Sequence, residues 1–347
     1  MERVRIAEAG KHLPPCVLNN EEALRTLAEN GVTETSSHKP LTEEIIFKTI
    51  GIKERRRMAA DQNISDMGRL AAEDTLRKAG LDWDDIDILC VGTSTPETAF
   101  PSTACTILEK VGGPNIEAFD ILAACTSAIY GMNVVKSRLL DEKKYRYGLV
   151  IGADAIGSRL ASTTTINWDI WGDGAGCVLL EKIDTNEETG IICSIAKSIP
   201  EMAQMAVSRR LGTHTWSDDV LMDAWMEGTK IHEFVLSEIP NLILETIIKA
   251  NEPGWTQQFQ HVIRLSDVGL ILPHQANGRI RKPIARSLGI PEEKIFMNVE
   301  FYGNTSSASI PIALSEAKDS GAITVGDYGI MVGFGAGLTL SAILFRL

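Results

Sequence analysis

Ala118-Phe-Asp-Ile-Leu-Ala-Ala-Cys125-Thr-Ser-Ala-Ile-Tyr-Gly131 packs three kinds of local structure into fourteen residues. Ile116 to Leu122 reads as a strand, Ala123 and Ala124 leave room for a tight turn, and a helix is expected from about Thr126 to Leu140. A strand feeding a helix through a short turn is the unit of an α/β sheet. The thiol of Cys125 falls at the turn, where unpaired backbone N–H groups and the positive helix end are expected to favour thiolate. Small neighbours, Ala123, Ala124 and Ala128, leave space for an acyl group. On composition alone a buried, inert cysteine remains the plainer reading, and it is kept for Cys90, Cys105, Cys177 and Cys193.

The same style extends in both directions. Val4 to Ala9, Ile86 to Thr93, Tyr147 to Gly152 and Ala175 to Glu181 read as strands. Asn20 opens a helix through Asn30, Ser65 is the expected N-cap for Asp66 to Ala79, and Pro101 suits a first helical position. Asp184 to Gly190 is polar and turn-rich and serves as the boundary between an N-terminal half, 1–184, and a C-terminal half, 185–347. Beyond it come a helix from Ile231 to Asn251 with a kink at Pro240, a strand Val268 to Leu272, and helices Arg279 to Ser287 and Asn304 to Ser320. Asp173-Gly-Ala-Gly-Cys-Val-Leu-Leu180 resembles Phe334-Gly-Ala-Gly-Leu-Thr-Leu340, each Gly-Ala-Gly opening an apolar strand. That similarity fits a duplication, two βαβ-rich halves packed as layers. Tyr328 to Phe345 is uncharged over 18 residues, but its glycines and alternation fit two buried strands rather than a membrane span.

Composition limits the function. With 34 Lys and Arg against 46 Asp and Glu, the net charge of −12 excludes nucleic-acid binding through a global basic field. The 347 residues suffice for a core without disulfide or metal staples. None of the six cysteines (Cys16 is the sixth) forms a C-x-x-C pair, and Met1-Glu-Arg-Val-Arg-Ile6 lacks the apolar core of a secretory signal. Free thiols in a cytoplasmic, membrane-free setting are therefore expected. Phosphate-loop, nucleophile-elbow serine, zincin and G-x-G-x-x-G patterns are absent, and no metal or resident cofactor is expected.

Two further residues qualify as chemistry-bearing. His274, in Leu272-Pro-His-Gln-Ala-Asn-Gly-Arg-Ile280, follows a strand end, where sites of α/β sheets gather. Asn304, in Tyr302-Gly-Asn-Thr-Ser-Ser-Ala-Ser309, stands at or before a helix start and also fits an ordinary cap. His12, His38, His214, His232 and His261 read as surface residues.

With these residues in place the chain resembles the β-ketoacyl-acyl-carrier-protein synthase III family of thiolase-like condensing enzymes. The similarity runs nearly end to end, through Gly51-Ile-Lys-Glu-Arg55, Phe100-Pro-Ser-Thr-Ala-Cys105, the Cys125 turn and Trp171-Gly-Asp-Gly-Ala-Gly176. It continues through His274-Gln-Ala-Asn277, Gly303-Asn-Thr-Ser306 and Phe334-Gly-Ala-Gly337. The resemblance implies a five-layered αβαβα fold with two pseudo-symmetric halves, and a homodimer. It also implies that Cys125 takes an acyl group from acyl-coenzyme A or an acyl carrier protein. The oxyanion would rest on the backbone N–H groups of Cys125 and Ala336. His274 and Asn304 would stabilise the enolate left when a malonyl thioester, on a carrier protein, loses carbon dioxide. For that job His274 must present an N–H, so its tautomer matters more than its basicity. Coenzyme A and phosphopantetheine thioesters enter as substrates. Phe100 corresponds to the residue that limits the partner's acyl pocket, with a core aromatic as the alternative. Arg279, Arg281, Lys282 and Arg286, read as one basic helix, suit docking of an acidic carrier protein, with a solvated helix face as the alternative.

Departures point to a specialised homologue in fatty acid or secondary-metabolite synthesis. Where many members place Trp and Arg to hold adenine, this chain has Ile45 and Thr49. The stretch from Asn30 to Leu41 is longer, and Glu201 to Trp216 lacks the usual acyl-loop pattern. Two other functions stay open: an acyltransferase moving the Cys125-bound acyl group to a hydroxyl or amine, and an idle partner subunit.

Overall fold

The computed structural model describes residues 1–35, 38–159, 166–208, 225–253 and 262–347. His214, His261 and the second half of the stretch from Glu201 to Trp216 lie outside the described residues. Strands β1 (Glu2–His12), β2 (Ile88–Gly92), β3 (Glu117–Ile121), β4 (Tyr147–Ala155) and β5 (Asp173–Asp184) form a five-stranded sheet, in the order β1-β5-β4-β2-β3. Strands β6 (Gly190–Ser198), β7 (Val268–Pro273), β8 (Tyr328–Gly335) and β9 (Thr339–Arg346) form a second, in the order β7-β8-β9-β6.

The two sheets repeat one pairing scheme. β1 runs antiparallel to β5 as β6 does to β9, and β5 antiparallel to β4 as β9 does to β8. The β4–β2 pair is parallel, like β8–β7, and β3 has its counterpart in the parallel bridge between Ile271 and Ile295. The duplication is therefore one of topology. The Gly-Ala-Gly pair does not mark it: Gly174–Gly176 lies inside β5, whereas Gly335–Gly337 makes the β8–β9 turn. The uncharged run from Tyr328 is those two central strands, and no helix among the described residues is long and apolar enough to cross a membrane.

Helices α3 (Ile64–Ala79), α4 (Thr103–Val111), α5 (Ser127–Asp141), α6 (Gly228–Ala250), α7 (Arg281–Leu288) and α8 (Ser309–Asp319) fill three layers, while α1 (Asn20–Glu29) and α2 (Glu43–Ile50) pack against each other outside them. Between the sheets, Ile129, Met132 and Val135 of α5 and Ile310, Ala313 and Leu314 of α8 share one core with Val178 and Leu180 of β5 and Met331 and Ile343 of the second sheet. The alternate residues of β5, Cys177 and Leu179, face outward onto Met67 and Ala71 of α3 and Ile107 of α4. On the other side, Leu242 and Ile243 of α6 and Ile284 of α7 cover Ile271, Ile330 and Leu344. The inner strands are thus buried on both faces, which is why β2 and β8 read as unbroken apolar runs. The result is the thiolase-like five-layered αβαβα arrangement.

Several helix starts move by one or more residues. Helix α3 begins at Ile64, with the Asn63 N–H held by Asp66 Oδ2 at 2.9 Å, while Ser65 is buried and its N–H and hydroxyl go to Glu97. Pro101 precedes the cap rather than entering the helix: Ser102 Oγ accepts from the Cys105 N–H at 3.2 Å, and α4 starts at Thr103. The helix expected from Asn304 starts only at Ser309, after a 3-10 turn at Ser306–Ala308.

Candidate active site

The two central helices open in the same way. Before α5 lies a 3-10 turn, Ala124–Thr126, whose first residue is left-handed at φ 48°. Before α8 lies Ser306–Ala308, again left-handed at its first residue, φ 51°. Positive φ costs energy at non-glycine residues and persists where the surroundings enforce it. Ala124-Cys125-Thr126-Ser127 and Ser306-Ser307-Ala308-Ser309 are therefore equivalent elbows of the two halves, and they meet: Ser306 Oγ lies 3.5 Å from Cys125 Sγ. Two glycines permit the approach. A Cβ on Gly152 of β4 would stand 2.2 Å from Ser307 O, and one on Gly335 would stand 3.0 Å from Cys125 N.

A buried carboxylate ties the elbows to the first sheet. Asp154, at the end of β4, accepts from Ser94 N at 2.7 Å, Thr95 Oγ1 at 3.0 Å, Ser307 N at 3.0 Å and Ser307 Oγ at 2.7 Å. Burial pushes its carboxyl pKa up, against the pull of these bonds.

Cys125 behaves differently from the expectation of a thiolate. The residue is partly exposed, but loss of water around the thiol pushes its pKa up to about 12. The Ser306 hydroxyl and the Cys125 N–H pull it down only in part, and nearby Asp154 adds to the rise. The continuous helix begins only at Ser127, beyond the cysteine. Desolvation outweighs the helix end, so the resting thiol is protonated at neutral pH.

His274 follows β7 directly. Its N–H donates to Val332 O at 2.8 Å, its ring meets Phe334 edge-on at 5.0 Å, and its Nδ1 lies 2.6 Å from Ser309 Oγ. It is 1% exposed, and burial lowers its pKa to about 3, so the imidazole is neutral across the physiological range. Gln275 fixes the loop that follows, donating to Pro273 O and Phe296 O and accepting from Asn298 N–H.

Asn304 sits in a parallel bridge with Trp171, its N–H donating to Ile170 O at 2.8 Å and its carbonyl accepting from Gly172 N–H at 2.9 Å. Its Oδ1 accepts from Ser306 N–H at 2.9 Å, which fixes the amide so that Nδ2 points away from the turn. Neither Asn304 Nδ2 nor His274 Nε2 has a hydrogen-bond partner among the described residues, and neither is a sealed, unsatisfied atom. Each keeps access to a ligand. Cys125, His274 and Asn304 are thus drawn together through Ser306, Ser309 and Phe334. Ala336 stands at the crest of the adjoining β8–β9 turn. Sequence reasoning missed Asp154, Ser306 and Ser309.

The remaining expected residues lie around this cluster. Phe100 is 86% exposed, so it is not a core aromatic. Arg279 lies in a 3-10 turn before α7 rather than on the helix, and its Nη1 donates to Lys48 O of α2. Arg281 Nε donates to Glu292 O, while Lys282 and Arg286 are exposed; none of the four has a carboxylate partner among the described residues. On α2, Ile45 is half-buried and Thr49 exposed. A cleft of about 1030 Å³ beside Arg5, Lys318 and Arg346 shares no residue with the cluster.

Comparison with known proteins gives the family and the fold. Residues 119–198 match the family model 3-Oxoacyl-[acyl-carrier-protein (ACP)] synthase III, and residues 260–347 match the model of its C-terminal part. The beta-ketoacyl-[acyl-carrier-protein] synthase III of Clostridium perfringens (strain SM101 / Type A) is 36% identical over 357 residues, covering 100% of both chains. That of Geobacillus kaustophilus is 35% identical over 342 residues, covering 98% of each. The crystal structure of the Aquifex aeolicus 3-oxoacyl-[acyl-carrier-protein] synthase III superposes with a TM-score of 0.85 at 30% identity, covering 99% of this chain and 100% of that one. The priming beta-ketosynthase of the R1128 polyketide pathway, at 24% identity and TM-score 0.85 over 99% and 96% of the chains, shares the fold.

Proposed function

Because the chain belongs to the 3-oxoacyl-[acyl-carrier-protein] synthase III family, we propose that Cys125, His274 and Asn304 divide its condensing reaction into two steps. The protein is a condensing enzyme of the ketosynthase III type, which joins an acyl group from acyl-coenzyme A to malonyl-acyl carrier protein. In the first step Cys125 Sγ attacks the acyl thioester, the C–S bond to the donor breaks, and the Cys125 proton passes to the departing donor sulfur, which leaves as a thiol. The oxyanion rests on the N–H groups of Cys125 and Ala336, each such donor being worth roughly 3–4 kcal/mol of barrier. In the second step the malonyl thioester carbonyl sits on His274 and Asn304. Carbon dioxide leaves, the enolate attacks the Cys125-bound acyl carbon, and a β-ketoacyl thioester departs as Sγ is released.

One observation carries this assignment. His274, neutral with a pKa near 3, and Asn304, its Oδ1 already engaged, offer hydrogen-bond donors rather than a base. Donors hold an enolate. Transfer of the acyl group to a hydroxyl or amine needs a base to take the acceptor's proton, so condensation is favoured over plain transfer. Three features support the finer reading. Arg279, Arg281, Lys282 and Arg286, without a carboxylate partner among the described residues, suit an acidic carrier protein docking beside the His274 loop. The open edge of β3 and exposed Phe100 suit a second copy of the chain, with Phe100 reaching the partner's acyl pocket. Ile45 and Thr49 offer adenine no aromatic platform, which favours an unusual acyl donor. The test is intact mass after incubation with acyl thioesters of graded length. An adduct of the matching mass is expected, abolished in Cys125→Ala; an adduct that survives the substitution sinks the assignment.

A further inference from the structure

Ser309 opens α8 with its side chain buried, and its hydroxyl has two polar neighbours among the described residues. One is the Gln275 N–H at 3.4 Å, which can only donate. The other is His274 Nδ1 at 2.6 Å. A hydroxyl has one proton to place, and a buried one needs an acceptor. Nδ1 is the acceptor within reach, so it carries a lone pair and Nε2 carries the hydrogen. The opposite tautomer would point Nδ1–H at Ser309 and leave the serine's own proton without a partner.

The other half of the molecule supplies the contrast. Ser127 opens α5 at the equivalent place, but its hydroxyl donates to Ala124 O at 2.8 Å and accepts from Ala123 N–H at 2.8 Å. That serine closes its own turn. Ser309 makes no such bond to Ser306 and reaches across to the histidine instead. One duplicated position has been turned from turn closure to the service of the site.

We propose that Ser309 is a positioning residue that sets the tautomer of His274, its hydroxyl donating to Nδ1 so that Nε2 meets the malonyl thioester carbonyl as an N–H. The benefit to condensation rests on the function proposed above; the tautomer does not. Because burial keeps the ring neutral, the tautomer is the one property of His274 left to be set.

Nitrogen-15 NMR of histidine-labelled protein tests it, with His274 assigned by its loss in His274→Gln. The expected spectrum shows an unprotonated, hydrogen-bonded Nδ1 and a protonated Nε2, unchanged between pH 8 and pH 5.5. Ser309→Ala should give mixed tautomers and lower turnover of the condensation ~10-fold, the equivalent of one lost hydrogen bond. Acylation of Cys125 should stay within about twofold of the parent, because Ser309 acts on the second step alone. Ser309→Thr, which keeps the hydroxyl, should restore the tautomer and most of the turnover. A protonated Nδ1 in the unsubstituted protein overturns the proposal, and so does Ser309→Ala with an unchanged tautomer and full turnover. If no thioester pair condenses while the tautomer is as stated, the proposed function fails and the assignment of Ser309 stands.

Discussion

Protonating His274 should cost the fold measurable stability, and the structure sets the size of the effect. The ring is held at a pKa of about 3, against 6.5 in an open chain, because burial removes the water that would solvate the cation. Between those values the unfolded chain binds a proton that the folded one refuses. Stability therefore falls as pH drops below 6.5 and is untouched by this group above about 7.5. At pH 5.0 the contribution is RT ln(1 + 10^1.5), about 2 kcal/mol. Burial also lowers the pKa of His12 and His232, so the informative quantity is a difference. Urea unfolding at pH 7.5 and 5.0, at fixed protein concentration, should show the parent losing about 2 kcal/mol more than His274→Gln. Equal losses in the two proteins would mean that the imidazole accepts a proton in place. Its role as a fixed donor would then be wrong. The same reasoning predicts no inflection near pH 6.5 from His274 in the rate of condensation.

Other outcomes follow from the elbows. Alkylation of Cys125, followed by peptide mass, should be slow at pH 7 and still rising at pH 10, since the thiol titrates near 12; exposed Cys16 and Cys105 should be modified first. A plateau below pH 8 would contradict the desolvated thiol. Gly152→Ala should destabilise the protein by about 2–3 kcal/mol and remove condensation, because its Cβ meets backbone, Ser307 O, at 2.2 Å; an unchanged Tm would refute the tight contact. Asn304→Ala should spare acylation of Cys125 and reduce condensation by ~100-fold or more, as expected for a lost oxyanion donor. Equal damage to both steps would remove Asn304 from the second step alone.

Cys125, His274 and Asn304 were legible as candidates chiefly because the motifs around them, taken in order, resemble those of the synthase III family. On residue type alone an inert cysteine and an ordinary asparagine cap are the plainer readings. The residues that orient them were not legible. Ser306 and Ser309 sit in Thr305-Ser-Ser-Ala-Ser309, which reads as turn and cap chemistry, and only packing distinguishes a serine that closes its turn from one that reaches a histidine. Asp154 is one carboxylate among 46 acidic residues until Ser94, Thr95 and Ser307 are seen to converge on it. The thiol was misjudged for a related reason: a helix start is visible in sequence, whereas the depth of water around a side chain is not. The duplication was sought in the wrong repeat. Gly-Ala-Gly recurs in two different backbone settings, while the true equivalents, Ala124–Ser127 and Ser306–Ser309, share shape and little sequence.

The central claim is that the three residues make a carbon–carbon bond from a Cys125-bound acyl group. Purified protein carrying that acyl group, mixed with malonyl-acyl carrier protein, should release one carbon dioxide for each acyl group lost from Cys125. The carrier should gain a β-ketoacyl chain two carbons longer than the one loaded. Loss of the acyl group from Cys125 without carbon dioxide, or its appearance unextended on the carrier, would contradict the account.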